Sequence, residues 1–254
     1  MGILGLAEKL SRGKILRRKL PPEFGGHTLF VTPEGGLRYW KRSLNYIDPM
    51  LFNVVREYIK SSDIVWDVGA NVGLFTFAAA AKASEGRCLS FEPDVWLCTL
   101  LHRSIKQNPG MRVDVLPVAV SDKVALAELN ITVRSRSTNY LSYAEGSTQT
   151  GGVREVQLVP TVTLDFILGN YEAPSFIKID TEGAEQFVLQ GASEILRTIK
   201  PTILCEVALA NYAEVSARLI ENDYMLYDAD RLPEKSPSSK GVSNILAIPP
   251  KLRT

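Results

Sequence analysis

The sequence is poor in the residues that bind transition metals or form disulfides. It contains only two histidines, His27 and His102, which is too few for a histidine-rich metal site. Its three cysteines, Cys88, Cys98 and Cys205, are odd in number and lie within apolar runs. This pattern is typical of reduced cytosolic cysteines and excludes a disulfide framework or a thiolate metal cluster.

Long hydrophobic runs and a strong net charge are also missing. No apolar run reaches the ~18 residues that a transmembrane helix needs, and no signal-peptide core is recognisable. Of the 254 residues, 45% are hydrophobic, and the net charge is +1. The composition therefore predicts one domain with appendages in the cytoplasm, and it gives no reason to expect nucleic-acid binding.

The first 20 residues are an exception, because six Lys or Arg residues and one Glu give them a net charge of +5. Apolar residues at roughly helical spacing are interleaved with these charges, which predicts a basic amphipathic helix. Two hypotheses follow for residues 1–20. They either contact an anionic membrane surface peripherally or form a solvated helix that packs on the body.

The N-terminal part of the chain, residues 1–61, is predicted to be a lead-in to the main domain. Residues 28–32 and 37–40 have the character of two short strands around a Pro-Glu-Gly-Gly turn. The apolar spacing of residues 50–59 predicts a helix. The remaining residues, 62–254, are assigned to a separate domain.

From residue 62, short apolar runs alternate with helical stretches. Such alternation is typical of a parallel sheet covered by helices on both faces. Pro117 removes a ladder hydrogen bond from the third strand, so we expect that strand at a sheet edge. Residues 122–174 are predicted to be an insertion that either covers the substrate side or forms an ordinary surface loop. The predicted strands are 64–68, 88–91, 113–120, 176–179, 202–205, 225–228 and 244–248, with another at 153–162, and the predicted helices are 72–82, 163–168, 184–199 and the stretch between Asp94 and Pro109.

A glycine-containing turn follows the first of these strands, in the segment Asp67-Val-Gly-Ala-Asn-Val-Gly73. Gly69 permits a tight turn with no side chain in the way of a ligand, and Gly73 permits a close approach of the following helix. The N–H groups at the start of that helix suit a carboxylate, and Asp67 suits a positively charged group. These properties fit the amino-acid portion of S-adenosylmethionine, which carries a carboxylate, an ammonium and a sulfonium.

Glu92 lies 19 positions after Gly73, at the end of the second strand. A carboxylate at this place accepts hydrogen bonds from both ribose hydroxyls of a nucleoside and repels a 2′-phosphate, and Pro93 beside it can pack on adenine. The patterns G-x-G-x-x-G and G-x-x-x-x-G-K-[ST] are absent, which disfavours a nicotinamide enzyme and a nucleoside triphosphatase. The spacing therefore favours S-adenosylmethionine as the cofactor.

Four segments together resemble the FkbM family of S-adenosylmethionine-dependent methyltransferases. They are DVGANVG at 67–73, FEPD at 91–94, AVSD at 119–122 and IKIDTEGAE at 177–185, of which the last is the most distinctive. The resemblance implies an α/β fold of the class I methyltransferase type. We expect a Rossmann-like sheet of seven strands, the last antiparallel, with helices on both faces, the lead-in before it and the insertion after the third strand.

The resemblance also implies roles for individual residues. Gly69, Asn71 and Gly73 are expected to line the methionine part of the cofactor, Glu92 the ribose, Ser121 and Asp122 the adenine, and Asp180 and Glu182 the methyl group and the acceptor. Topology supports the placement of Asp180, because ligands of open α/β sheets bind at the carboxyl ends of strands, near where the strand order reverses.

Methyl transfer to a hydroxyl requires in-line positioning and removal of a proton. Asp180, Glu182 and His27 are the candidate general bases, the last if the lead-in folds over the site. A divalent metal is an alternative that two carboxylates do not establish. The resemblance implies O-methylation of a hydroxyl on a sugar, glycan or secondary metabolite, with lipid-linked sugars as an acceptor class if the basic N terminus binds membrane. An N-methyltransferase, a protein or peptide methyltransferase and a catalytically silent cofactor-binding module stay open as alternatives.

Overall fold

The computed structural model describes residues 10–144, 150–232, 234 and 242–250. The strands are β1 (Leu16–Lys19), β2 (Thr28–Val31), β3 (Ile64–Val68), β4 (Arg87–Phe91), β5 (Val113–Leu116), β6 (Ala119–Val120), β7 (Ala125–Thr132), β8 (Tyr140–Leu141), β9 (Val153–Val162), β10 (Phe176–Ile179), β11 (Thr202–Glu206), β12 (Met225–Asp228) and β13 (Asn244–Ile248). The α-helices are α1 (Pro49–Tyr58), α2 (Leu74–Lys82), α3 (Val95–Gln107), α4 (Leu164–Leu168), α5 (Glu185–Gln190) and α6 (Tyr212–Glu221). Within these residues, no helix combines the length and the apolarity needed to cross a bilayer.

The main sheet has seven strands in the order β12-β13-β11-β10-β3-β4-β5. Its pairs are parallel except those made by β13, which runs antiparallel to both β11 and β12. The strand order reverses between β3 and β10. This topology confirms the expected class I methyltransferase fold, including the antiparallel last strand, and it brings the carboxyl ends of β3, β4 and β10 together.

Hydrophobic cores cover both faces of this sheet. On one face, Val65 and Phe176 from the strands pack with apolar residues of α1, α2 and α3. On the other face, Trp66 and Ile177 pack with apolar residues of α4, α5 and α6. Neighbouring residues on one strand thus enter opposite cores, which is why the strands consist almost entirely of apolar residues.

Two helices on the first face begin at aspartate side-chain caps. The side chain of Asp48 accepts the backbone N–H of Leu51 at 3.1 Å at the start of α1, with Pro49 in the first turn. The side chain of Asp94 accepts the N–H of Trp96 at 3.0 Å at the start of α3. Capping oxygens satisfy N–H groups that have no partner within the helix, so these residues define where each helix begins.

The lead-in differs from the prediction. β2 pairs antiparallel with β1, whereas Leu37–Trp40 and Pro33–Gly35 are 3₁₀ turns, so the predicted hairpin is wrong. The hydroxyl of Thr32 accepts the backbone N–H of Glu34 at 3.1 Å and thereby starts the turn Pro33–Gly35. The basic helix predicted over residues 1–20 is also wrong for residues 16–19, which are extended, while residues 1–9 lie outside the described residues.

The insertion forms a second sheet in the order β6-β9-β7-β8. The predicted third strand divides at Pro117: its first half is β5, at the edge of the main sheet as expected, and its second half is β6 of the second sheet. β7 was not predicted, although Ala127, Leu129 and Ile131 alternate on its buried face. α6 was not predicted either.

The helix expected over residues 184–199 is divided. α5 ends at Gln190, and a π-helical turn occupies Ile195–Ile199. Gly191 separates the two parts, and a Cβ atom there would lie 2.1 Å from the carbonyl oxygen of Ser121. The helix therefore breaks where its backbone passes close to the chain that leaves β6.

Candidate active site

A cavity of about 290 Å³ opens at the carboxyl ends of β3, β4 and β10. We call it the central cavity. Its wall is formed by residues at these strand ends, by residues of the insertion between Leu129 and Leu141, and by Arg38 of the lead-in. Its position, where the strand order reverses, is the usual place for ligands in an open α/β sheet.

The turn after β3 brings the backbone close to the end of β10. Gly69 and Ala70 both donate their N–H groups to the carbonyl oxygen of Phe91, at 3.0 and 3.1 Å, which ties the turn to the end of β4. Gly69 has a φ of +79°, and an added Cβ atom would lie 1.8 Å from the carbonyl oxygen of Asp180. Glycine is therefore required here, and it gives the cavity wall a backbone surface in place of a side chain.

Glu92 places a buried carboxylate in the cavity wall, directly after β4. One of its oxygens accepts the backbone N–H of Asn71 at 2.7 Å, and the other accepts that of Asp94 at 2.9 Å. Burial raises the pKa of Glu92 to about 8, although these two hydrogen bonds act in the opposite direction. The bonds orient the carboxylate, and each oxygen retains an acceptor position for a ligand hydroxyl.

Asn71 also contributes to the wall. It has a φ of +53°, and its amide nitrogen donates to the carbonyl oxygen of Gly35 at 3.1 Å, so it connects the turn after β3 to the lead-in. Its amide oxygen is buried and has no hydrogen-bond partner among the described residues. The amide group of Asn71 faces Gly35 of the lead-in, where an added Cβ atom would lie 2.7 Å from its oxygen.

Asp67 does not line the central cavity, although the sequence places it among the cofactor-binding residues. Its carboxylate is fully buried and accepts the hydroxyl of Thr76 at 2.5 Å. The positive charge that Asp67 was expected to hold is supplied by the protein itself, because Nζ of Lys178 lies 3.5 Å from Asp67 and 3.1 Å from Asp180. Burial alone would lower the pKa of Lys178, but these two carboxylates raise it, so the lysine stays protonated.

Three carboxylates line the central cavity on the β10 and β11 side: Asp180, Glu182 and Glu206. Burial raises the pKa of Glu182 to about 8, with additional contributions from Asp180 and Glu206. Asp180 is the main cause that raises the pKa of Glu206 to about 7. Carboxylates with pKa values near neutrality are suited to take up or release a proton at physiological pH.

Glu206 and Arg38 were not predicted as site residues. Glu206 ends β11, the strand next to β10, and this position at a strand end was the available signal. Arg38 lies in a short 3₁₀ turn that the sequence did not reveal, and it forms an ion pair with Asp48 at 3.2 Å. Both residues also line a smaller cavity of about 50 Å³ that adjoins the first through Asn71 and Asp180.

His27 lies far from these carboxylates, which corrects its placement among the candidate bases. Nδ1 of its ring is 3.3 Å from the amide oxygen of Asn108, the residue after α3. A helix that connects parallel strands runs antiparallel to them, so this end of α3 lies at the amino ends of the strands. The cavity is at the opposite end of the sheet.

Three further predicted residues lie outside the cavity wall. Gly73 packs inward, where an added Cβ atom would meet Leu101 at 2.6 Å and Phe77 at 2.8 Å. The hydroxyl of Ser121 shares a hydrogen bond of 2.6 Å with Tyr143 and lies 3.1 Å from the carboxylate of Asp122. Pro93, by contrast, is in the wall, and the apolar residues of the wall on this side are Phe91, Val118, Ala119, Val120, Leu129 and Leu141.

An ion-pair network holds the insertion over the cavity. The guanidinium of Arg136 donates to Asp94, lies 3.3 Å from Glu34 and stacks on the ring of Trp96 at 4.8 Å. Glu34 also accepts Arg154 at 2.6 Å. These contacts join the lead-in, the start of α3 and the insertion, and they place residues of the insertion in the cavity wall. The sequence analysis identified none of these ion pairs.

The family described as "Methyltransferase FkbM domain" matches residues 67–231, which include the glycine turn, Glu92 and the three carboxylates. The chain belongs to the FkbM methyltransferase family. The resemblance inferred from the four sequence segments is thereby confirmed, and with it the methyltransferase activity. Among the described residues of this FkbM methyltransferase, no group of three or more His, Cys, Asp or Glu side chains is arranged to hold a metal ion.

Individual relatives are distant. The hexuronic acid methyltransferase AglP of Haloferax volcanii is 21% identical over 196 residues, which make up 74% of this chain and 74% of the relative. The structure of the methyltransferase FkbM from Methylobacillus flagellatus KT has a TM-score of 0.48 and 18% identity, and the match covers 77% of this chain and 47% of that chain. The Pyrococcus abyssi tRNA (uracil-54, C5)-methyltransferase in complex with S-adenosyl-L-homocysteine has a TM-score of 0.45 and 12% identity, over 92% of this chain and 43% of that chain. This FkbM methyltransferase spans less than half the length of these two structures.

Replacing Glu182 by Gln is expected to stabilise the protein increasingly as pH rises. Well below pH 4.5, the ordinary pKa of Glu, the carboxyl is protonated in both the folded and the unfolded chain. Between there and its folded pKa of about 8, only the unfolded chain releases the proton, so the wild-type residue destabilises the fold more at higher pH. Thermal unfolding should show a Tm difference near zero at low pH and a gain of a few degrees, about 1 kcal/mol, at pH 8. The same substitution at the exposed Glu221 is the control, and an equal Tm gain at both pH values would contradict the expectation.

Proposed function

We propose that this FkbM methyltransferase binds S-adenosylmethionine in the central cavity and methylates a hydroxyl group on a sugar or glycan. The observation that carries the proposal is the buried carboxylate of Glu92, which is oriented by two backbone N–H groups at the cavity wall. A pair of neighbouring ribose hydroxyls is the type of ligand that such a carboxylate binds.

The rest of the wall fits the same cofactor. The apolar side of the cavity, between Phe91 and Leu141, suits an adenine ring, and we assign the amino-acid portion to the part of the wall lined by Gly69. Asn71 lines this part of the wall as well, two positions after Gly69 in the same turn. When bound, S-adenosylmethionine supplies an electrophilic methyl group on a sulfonium.

The residues of the chain would then position and activate the acceptor. Asp180 and Glu182 are our candidate general bases for the hydroxyl proton, and we add Glu206, since all three line the cavity. Lys178, 3.1 Å from Asp180, holds that carboxylate in place. Proton removal by a positioned base and exclusion of water by the insertion are the contributions we assign to the protein.

A sugar acceptor is supported by the name of the Haloferax volcanii relative, which gives a hexuronic acid as that protein's substrate. The guanidinium of Arg38, between the two cavities, is a group that can bind the carboxylate of a sugar acid. An amine acceptor is the second candidate, because the three carboxylates of the wall would also attract a cation. Transfer of isotope-labelled methyl to uronic acid glycosides, neutral glycosides and amines, followed by mass spectrometry, distinguishes these classes.

Replacing Glu92 by Ala is expected to weaken S-adenosylmethionine binding at pH 9, where the carboxylate is charged, by about 1.5–3 kcal/mol, or roughly 10- to 100-fold in Kd, because hydrogen bonds to a charged carboxylate are lost. Calorimetry measures the effect, with the exposed Glu128→Ala as the control. Wild-type affinity should also rise between pH 6 and pH 9, since ionisation of Glu92, with a pKa of about 8, adds an acceptor. Glu92→Gln should reduce that rise. Undiminished binding by Glu92→Ala, or absence of binding by the wild type, would defeat the proposal.

A further inference from the structure

The positive charge of the protein is concentrated in the lead-in. Residues 10–47 contain eight Lys and Arg residues and two Glu residues, a net charge of +6 in a chain whose net charge is +1. Neither acid neutralises this surface, because Glu23 pairs with Arg56 and Glu34 is buried against Arg136 and Arg154. The lead-in therefore presents a positive surface on a protein whose other residues sum to a negative charge.

Two segments of the lead-in bring these charges together. Arg18, on β1, donates to the carbonyl oxygens of Lys41 at 2.6 Å and Trp40 at 3.2 Å. These hydrogen bonds join the end of the turn Leu37–Trp40 to β1. Lys19 and Arg42 line the same shallow groove of about 590 Å³. Burial and the nearby Arg42 lower the pKa of Arg18. Lys19, Lys41 and Arg42 are exposed and form no ion pair with any residue that the structure describes.

Two aromatic side chains of the same segment are exposed to solvent. Trp40 is 41% exposed and Tyr46 is 82% exposed. Trp and Tyr favour the boundary between lipid headgroups and acyl chains, where the ring is partly buried and the polar atom stays hydrated. Trp40 ends the short turn that contains Arg38, a residue of the cavity wall, and it lies two positions after Arg38 in the sequence.

We propose that this surface binds the anionic phospholipids of a membrane. The docking face consists of Arg18, Lys19, Trp40, Lys41, Arg42 and Tyr46. Its basic groups are attracted to the negative surface potential, and its aromatic rings enter the headgroup region. Arg18 and Lys19, which the sequence analysis placed in an amphipathic helix, thus lie on the strand β1. Lys41 and Arg42, which follow the turn Leu37–Trp40, add their positive charges to the same face.

Sedimentation with vesicles of phosphatidylcholine, with and without phosphatidylglycerol, tests the proposal. The wild type should bind the anionic vesicles, weakly at high salt, and not the neutral ones. The triple variant Lys19→Glu, Lys41→Glu, Arg42→Glu should lower the partition coefficient at least ~100-fold, since each basic group contributes about fivefold. Tryptophan emission should shift to shorter wavelength on binding, and Trp40→Phe should abolish the shift.

A matched control carries the same change in net charge at exposed residues away from the docking face: Lys60→Glu, Lys123→Glu and Arg197→Glu. It should bind the vesicles within a few-fold of the wild type. Calorimetry with S-adenosylmethionine on every variant shows whether the fold is retained and tests the proposed function separately. The proposal is overturned if the first triple variant binds like the wild type, if the control loses as much, or if an RNA duplex is bound more tightly than anionic vesicles.

Discussion

Lys178→Met should destabilise the protein by about 3–5 kcal/mol, because it removes the cationic partner of a buried carboxylate. Lys178 is 6% exposed, and its Nζ atom also donates to the carbonyl oxygen of Gly69 at 3.1 Å. Without it, Asp67, which is 0% exposed, keeps the hydroxyl of Thr76 as its one hydrogen-bond partner among the residues that the structure describes. Methionine preserves the length of the side chain, so the loss reports the charge and its hydrogen bonds. Urea unfolding followed by circular dichroism measures it.

Two further variants separate charge from packing. Lys200→Met removes an ion pair of 3.0 Å to Asp223, whose side chain is 76% exposed, and it should cost no more than about 1 kcal/mol. Asp67→Asn in the Lys178→Met background should recover a large part of the loss, because the buried charge is then removed as well. Equal losses for Lys178→Met and Lys200→Met would show that the buried ion pair has no special importance.

Gly69→Ala is expected to cost at least 3 kcal/mol of stability and to abolish measurable cofactor binding. The new Cβ atom would lie 1.8 Å from the backbone oxygen of Asp180, and a backbone atom of a central strand cannot move aside cheaply. The left-handed conformation at this position adds roughly 1–2 kcal/mol for any residue with a Cβ atom. Thermal unfolding and calorimetry with S-adenosylmethionine measure the two effects.

Gly110→Ala provides a control with strain but without the clash. Gly110 has a φ of +98°, and an added Cβ atom there has no neighbour within 4 Å. This variant should be destabilised only by the left-handed backbone conformation, by roughly 1–2 kcal/mol, and should bind the cofactor normally. If Gly69→Ala were no less stable than Gly110→Ala, the close approach of β3 and β10 would not be a constraint on the fold.

The strands, helix starts and turns whose signals lie within a few consecutive residues could be predicted from the sequence. Each of the seven strands of the main sheet corresponds to a short run predicted as a strand, and the helical stretch predicted after Asp94 is α3. The glycine turn and Glu92 could be placed at the same end of the sheet, because both directly follow parallel strands. These signals are local, and tertiary contacts reinforce them without changing them.

The pairing of the lead-in was not predictable, because distant residues decide it. β2 donates backbone N–H groups to the side chains of Ser104 at 2.9 Å and Asn108 at 3.1 Å, so it is held along α3. With one edge occupied in this way, its strand partner is β1 and not the residues that follow Pro33. A turn signal at Pro33 correctly indicated a change of direction but carried no information about which segments would pair.

By itself, the sequence determined the family, the class of sheet and the end of the sheet where the site lies, because each of these follows from short segments in a definite order. Only the tertiary structure decided which acidic side chains face the cavity. Asp67 is turned into the core because Lys178 lies opposite it on β10, whereas Glu206 reaches the cavity because β11 lies next to β10. His27 is at the other end of the sheet because it contacts the end of α3. Each outcome depends on what lies across the fold, and spacing along the chain does not contain that information.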